Sequence, residues 1–303
     1  MEVTTQRRRL LALTGAAVAI AAAAVVVGLS TAVPAQPSAP AASSATPTAT
    51  PSPAPSVEAR SGIVMRRETD GEVLWAKRPD LHLAPASCTK IMTALLVLEH
   101  FSGRLDRYVR APAGVTEQQS VAIGLRPGNR ITVRQALRAM LVKSANDATL
   151  TLAVAVDGSE KAFVRRMNRR ATKLGLDDTH YVNSRGKDAS GHYSSARDLA
   201  ELGRYVWNRS SVFRGIVATK TTVIKWPPSH RVRVTSHNRM LDLSWGDGIK
   251  TGATSKAGKV LVGSGTPSGP SGEVPLIVVT MKEPSRDQEE RDALALFEWG
   301  AKQ

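Results

Sequence analysis

The stretch from Ser30 to Val57 divides this chain before anything else in it can be read. It consists almost entirely of Pro, Ala, Ser and Thr, carries no charge, and holds seven of the chain's 17 prolines. Such a segment has no apolar periodicity with which to close a core, so it predicts an extended, semi-stiff, disordered linker over 30–57. Anything that folds must lie to one side of it. On the N-terminal side, Arg7-Arg8-Arg9 precede a run from Leu10 to Leu29 in which Thr14 is the one polar side chain. A basic start followed by an apolar run is the pattern of an export signal. The run is also long enough to span a bilayer. Over 1–29 both a signal peptide, cleaved in the small residues between Ser30 and Ala35, and a retained membrane anchor stay open. So does a choice of export route, since paired arginines ahead of leucines loosely resemble a twin-arginine signal. Either way the basic residues stay inside, and the rest of the chain is expected outside the cytoplasm. Residues 58–303 are left to form the folded domain, enough to bury a sizeable core.

The chain's formal net charge of +15 favours polyanionic surroundings. For an exported chain these are an anionic cell wall or membrane surface rather than nucleic acid. The densest run, Arg165 to Lys173, reads first as the solvated face of a helix and second as a wall-binding patch. One cysteine, Cys88, rules out an intramolecular disulfide, so stability must come from packing. The six histidines never stand four apart on a helix and have no cysteine or aspartate cluster beside them, so no metal site and no cofactor is expected.

Within 58–303, two apolar runs flank Thr69-Asp70-Gly71 as a hairpin would. A helix is expected over Cys88 to His100. Thr132, Ser159 and Ser195 are placed to cap helices running to about Val142, Leu174 and Trp207. Strand-like runs return at Thr221 to Lys225, Gly246 to Thr251, Val260 to Gly263 and Val274 to Met281, and a closing helix follows over Arg286 to Ala301. Strands at both ends with helices between imply an α/β (α+β) domain, a mainly antiparallel sheet flanked by helices.

Three short motifs carry the chemistry. Ser87 and Lys90 stand three residues apart at a helix start, which places a hydroxyl and an amine on one face. A desolvated lysine can serve such a hydroxyl as base. Ser144-Ala145-Asn146 and Lys250-Thr251-Gly252 follow in order. Each motif alone has a plain structural reading: a solvated helix face, an N-cap, a strand end. The ordered set, with the flanking text LAPASCTKIMTALLVLEH, GHYSSARDLAELGRYVW and DGIKTGATSKAGKVLVGS, resembles the low-molecular-mass D-alanyl-D-alanine carboxypeptidases, which are serine peptidases and penicillin-binding proteins. The resemblance runs from about Ser61 to Gly300.

That resemblance implies a penicillin-binding protein/β-lactamase-like fold with a helical subdomain carrying Ser144. It implies a catalytic set of Ser87 as nucleophile, Lys90 as its base and Ser144 as proton relay to the departing D-alanine. It further implies a substrate-binding set of Asn146 for the peptide amide, Lys250 and Thr251 for the terminal carboxylate, and Gly252 and Ala253 along the strand, with the Ala253 N–H as an oxyanion donor beside that of Ser87. Gly252 is expected to leave room for an added strand of substrate. Thr254 and Arg286 are lesser candidates for the carboxylate. The implied substrate is the stem peptide of peptidoglycan, and β-lactams are the implied covalent inhibitors. A D,D-endopeptidase acting on crosslinks and a non-catalytic wall-binding module are the alternatives. A β-lactamase is disfavoured, because neither Glu160 nor Glu201, the only glutamates between Ser144 and Lys250, stands in a Glu-x-x-x-Asn arrangement. Lys187 departs from the apolar residue usual in the family's Asn-x-x-Gly-Leu-like loop, Lys143 adds a charge beside Ser144, Cys88 departs mildly, and His192 is expected to shape a loop.

Overall fold

The computed structural model describes residues 53–68, 70–117 and 121–303. The leader and most of the spacer expected from the sequence lie outside the described residues. Val57, at the spacer's last position, is buried, and its carbonyl accepts from Lys77 Nζ at 2.7 Å.

In chain order the elements are β1 (Ser61–Arg66), β2 (Val73–Lys77), α1 (Lys90–His100), β3 (Tyr108–Arg110), β4 (Arg130–Thr132), α2 (Val133–Arg138), α3 (Asn146–Asp157), α4 (Glu160–Lys173), α5 (Ala196–Arg209), α6 (Ser211–Val217), β5 (Thr221–Trp226), β6 (His230–Thr235), β7 (Gly246–Thr254), β8 (Gly258–Gly265), β9 (Ser268–Gly269), β10 (Gly272–Glu273), β11 (Leu276–Glu283) and α7 (Arg286–Gly300). Five strands form one sheet in the order β2-β1-β11-β8-β7, and every neighbouring pair is antiparallel. The other strands pair off as two-stranded antiparallel ribbons.

Both faces of the sheet are covered, which is why β8 and β11 read as continuous apolar runs rather than alternating ones. On one face Ile63, Met65, Val260, Val262, Ile277 and Val279 meet the helical layer. On the other, Val64, Leu261 and Val278 meet Ala293, Leu296 and Phe297 of α7. Phe297 is fully buried against Trp245, with ring centroids 5.2 Å apart, and a Cβ at Gly263 would lie only 3.1 Å from its ring. Truncating a buried phenylalanine of this kind costs about 3–5 kcal/mol. The α+β architecture expected from the sequence is the one observed.

Helix starts follow the expected chemistry. The side chains of Thr132, Ser159 and Ser195 accept from Gln135, Ala162 and Asp198 N–H groups. Each such cap is worth about 1 kcal/mol. Two expectations need correcting. The segment over Cys88 to His100 is not one helix: Ala86–Thr89 forms a 3₁₀ turn, and α1 begins only at Lys90. The helix capped by Thr132 gives way after Arg138 to a π turn over Ala139–Lys143, which ends on Ser144. The extra residue per turn lifts Ser144 out of the helical path. Among the described residues no helix is long and apolar enough to cross a membrane.

Candidate active site

Ser87 sits on the 3₁₀ turn, and the turn is clamped from two sides. A Cβ at Gly252 on β7 would lie 2.9 Å from Ala86 Cβ and 3.0 Å from both Pro85 O and Ser87 N. A Cβ at Gly186 would lie 1.8 Å from Ala86 O. Only glycine allows these approaches. The sequence reading took Gly252 as room for substrate; the structure turns that missing side chain towards the Ser87 turn itself. Ala86 between the two glycines has a φ of 45°, a left-handed conformation that costs an alanine about 1–2 kcal/mol. Strain of this size persists where surrounding packing over-determines it, and here the packing fixes the direction of Ser87. Cys88 lies beneath, fully buried, its thiol 3.5 Å from the Lys250 carbonyl oxygen. Burial pushes that thiol up to about 12, so it stays protonated.

Lys90 is fully buried, and its Nζ lies 2.9 Å from Ser87 Oγ and 2.6 Å from the Arg185 carbonyl oxygen. Its pKa is lowered well below the ordinary lysine range, first by burial and then by the positive charges of Lys250 and Arg185. No carboxylate is among the groups that act on it. A neutral amine here donates one N–H to Arg185 and turns its lone pair to the Ser87 hydroxyl.

The Arg185 carbonyl is itself built in. Asn183 Oδ1 accepts from the N–H groups of Arg185, Gly186 and Lys187, and Asn183 Nδ2 donates to Lys187 O at 2.9 Å. Glu160, at the start of α4, accepts from Ser184 N–H and from the Arg185 guanidinium. This places Glu160 under the loop that holds Lys90. His192 fastens the same region to the Ser87 turn. Its Nδ1 accepts from Val182 N–H, so Nε2 carries the proton and donates to Thr89 Oγ1 at 2.9 Å. Burial lowers His192 to about 4 and keeps it neutral. Asn183, Arg185 and Glu160 were not singled out as site residues in the sequence, although Asn-x-x-Gly is itself a turn signal.

Ser144 has a φ of 67°, and its buried Oγ has no hydrogen-bond partner among the described residues. Asn146 begins α3, and its N–H donates to Val121 O at 2.7 Å. The next residue, Asp147, is buried and accepts from the N–H groups of Ile123, Gly124, Leu125 and Ala148. It fixes the loop over 121–125 beside the Ser144 corner.

Lys250 and Thr251 are buried on β7, and Ala253 is exposed. Lys250 Nζ donates to Thr251 O at 2.8 Å, and burial lowers its pKa to about 8. Because β7 is the edge of the sheet, its outer side has no strand partner. His237, whose pKa is lowered first by burial, also feels the charges of Lys250, of Lys143 beside Ser144, and of Arg286. The cleft mouth is thus ringed by cations. Of the two lesser candidates, Thr254 donates to Asp188 and Arg286 pairs with Glu289. Among the described residues no group of three or more His, Cys, Asp or Glu side chains is placed to hold a metal ion.

A hydroxyl beside a buried neutral amine, next to an open sheet edge, is the arrangement of a serine acyl-transfer enzyme. Residues 47–285 match the family model of the D-alanyl-D-alanine carboxypeptidases, and the chain belongs to that family. It is 34% identical over 211 residues to the D-alanyl-D-alanine carboxypeptidase DacF of Bacillus subtilis, covering 68% of this chain and 54% of that protein. It is 33% identical over 255 residues to DacD of Escherichia coli, covering 78% and 62%. The chain therefore spans little more than half the length of these relatives. Among solved structures, a Streptomyces DD-transpeptidase superposes with a TM-score of 0.75 at 28% identity, covering 82% of this chain and 99% of that one.

Proposed function

We propose that this protein is a serine D,D-carboxypeptidase that removes the terminal D-alanine from peptidoglycan pentapeptide stems outside the cytoplasm. The observation that carries the reading is the contact between Lys90 Nζ and Ser87 Oγ, with the lysine fully buried and its pKa lowered by that burial and by neighbouring cations. Lys90 takes the Ser87 proton as Oγ attacks the carbonyl of the penultimate D-alanine. The oxyanion faces the N–H groups of Ser87 and Ala253, each such donor being worth about 2.7–4 kcal/mol. Collapse breaks the amide bond, and Ser144 passes a proton to the departing D-alanine. Water then hydrolyses the ester on Ser87 and regenerates the hydroxyl. Asn146 binds the peptide amide, and the Lys250 ammonium and Thr251 hold the terminal carboxylate. The Ser144 Oγ, without a hydrogen-bond partner among the described residues, supports its relay role.

A β-lactam presents its ring carbonyl to the same hydroxyl. Glu160 is occupied with Ser184 and Arg185, so it is not poised to activate a deacylating water. The Ser87 adduct should be long-lived. Intact mass after benzylpenicillin exposure tests the reading: the wild type gains one penicilloyl group and Ser87→Ala gains none. D-Alanine release from a synthetic pentapeptide completes the test. A chain with neither adduct nor D-alanine release is a wall-binding module, and rapid penicillin turnover makes it a β-lactamase. Water and an amine are interchangeable acyl acceptors, and the likeness to a DD-transpeptidase makes crosslinked products part of the same assay.

A further inference from the structure

The cations of α4 fall into two groups. Arg166 and Arg170 lie partly buried and are neutralised from within, by Asp157 and by Glu99 respectively, Arg170 also donating to Tyr205 OH. Lys161, Arg165, Arg169 and Lys173 are exposed, recur at every fourth residue, and form no ion pair among the described residues. Successive members stand about 6 Å apart along the helix axis and form one stripe about 18 Å long. Like charges at this spacing destabilise a helix, and Lys161 in the first turn also opposes the helix dipole. The stripe therefore has a local cost and no local counter-charge. Arg169 and Lys173 also line a recess of about 370 Å³ with Leu96, Glu99, Arg166 and Arg170 between α4 and the end of α1. Its one acid, Glu99, is already engaged by Arg170.

We propose that this stripe and recess bind a linear polyanion carrying regularly spaced phosphodiesters, separately from the peptide cleft. Concavity decides between polymer and bilayer: a strand enters a recess that a flat membrane surface bridges. The site needs neither Ser87 nor Lys90. Through Glu160, the start of α4 is joined to the loop that holds Lys90.

The probe is a labelled synthetic poly(glycerol phosphate), followed by fluorescence anisotropy with the full-length chain in nonionic detergent over a series of salt concentrations. The wild type should bind, with affinity falling linearly on a log–log salt plot. Replacing Lys161, Arg165, Arg169 and Lys173 together by Gln should lower that slope by about 3, at about 0.7–0.9 per cation, and weaken binding at least tenfold at low salt. The variant should not melt lower, because it also loses the repulsion. D-Alanine release from a soluble pentapeptide should be unchanged, which separates failure here from failure of the peptidase reading. A control replaces three exposed hairpin cations, Lys225, Arg231 and Arg233, by Gln. An equal loss in that control overturns the proposal in favour of net charge alone. Stripe-dependent binding to phosphatidylglycerol vesicles without binding to the polymer overturns it in favour of a membrane surface. Absence of polymer binding at low salt also overturns it.

Discussion

Two groups of buried ionisable side chains lie against the same sheet, and pH acts on them in opposite directions. At the β7 edge, Lys90 and Lys250 are driven towards their neutral forms by burial, Lys90 also by neighbouring cations. Under α7, Glu283 lies beside Asp292, with neither of its own oxygens given a donor among the described residues. Burial and then that neighbouring carboxylate raise Glu283 to about 8. Asp292 is satisfied by the N–H groups of Glu58 and Ala59 and by Gln288, so its charge is useful: it fastens the segment ahead of β1 to α7. Desolvation neutralises one member of each group. The difference lies in what the neutral member faces. Lys90 faces a hydroxyl with a proton to give, whereas Glu283 faces only structure. A shifted pKa marks a catalytic group where a reactive partner stands within reach, and marks packing where none does.

Lys90→Ala is the sharpest way to break this contrast. It should lower kcat/KM for a synthetic pentapeptide, and the rate of penicillin acylation, by about 10²–10⁴, with thermal melting retained. A variant with near-normal turnover would put Lys90 on the structural side with Glu283. Next is Gly252→Ala, which alters no charge. Its methyl group displaces the Ser87 turn, and a misplacement of about 1 Å at a reacting centre costs about 10²-fold. The check is acylation rate at unchanged fold, followed by circular dichroism; a variant acylated at the wild-type rate would show that the clamp does not aim Ser87.

The pH profile comes third. kcat/KM should rise as Lys90 loses its proton and fall above about pH 8 as Lys250 loses its own, by up to tenfold per pH unit. These limbs belong to the coupled pair rather than to either lysine alone. A flat profile from pH 8 to 10 would detach the Lys250 charge from substrate binding.

The smallest effect lies under α7. Between pH 4.5, the ordinary glutamate value, and about 8, the folded state holds the Glu283 proton more tightly than the unfolded state does. Glu283 therefore contributes stability below pH 4.5 that is lost as pH rises to about 8. Lys250 has the reverse sign, its contribution growing from about pH 8 towards 10.5. Glu283→Gln should consequently gain melting temperature on the wild type as pH rises from 5 to 8, by a few degrees at most. Parallel melting curves across that range would show that the carboxyl is ionised throughout.

Much of this was legible in the sequence, for identifiable reasons. Capping side chains at Thr132, Ser159 and Ser195 act within three residues, so local text suffices to find them. The ordered motifs placed Ser87 beside Lys90 before any coordinates did. What escaped was non-local or without periodicity. Helix α3, whose text NDATLTLAVAVD is buried on nearly every side, shows no polar face and so no helical period. Strand β6, reading HRVRVT, is a two-stranded hairpin arm with its arginines in solvent, and its charge masked it. The acceptor for Lys90 is a backbone carbonyl at Arg185, and a carbonyl leaves no mark in side-chain identity. Gly186 and Gly252 were visible as glycines, but the close approach that requires them joins chain segments far apart in sequence.

Cys88 turns the clamp around Ser87 into something that can be timed. With its sulfur sealed between the turn and β7, an alkylating reagent gains access only when those two pieces separate. Where alkylation outruns reclosure, the rate at which that single thiol is consumed is the rate at which the nucleophile loses its aim, and any ligand that holds the two pieces together slows it.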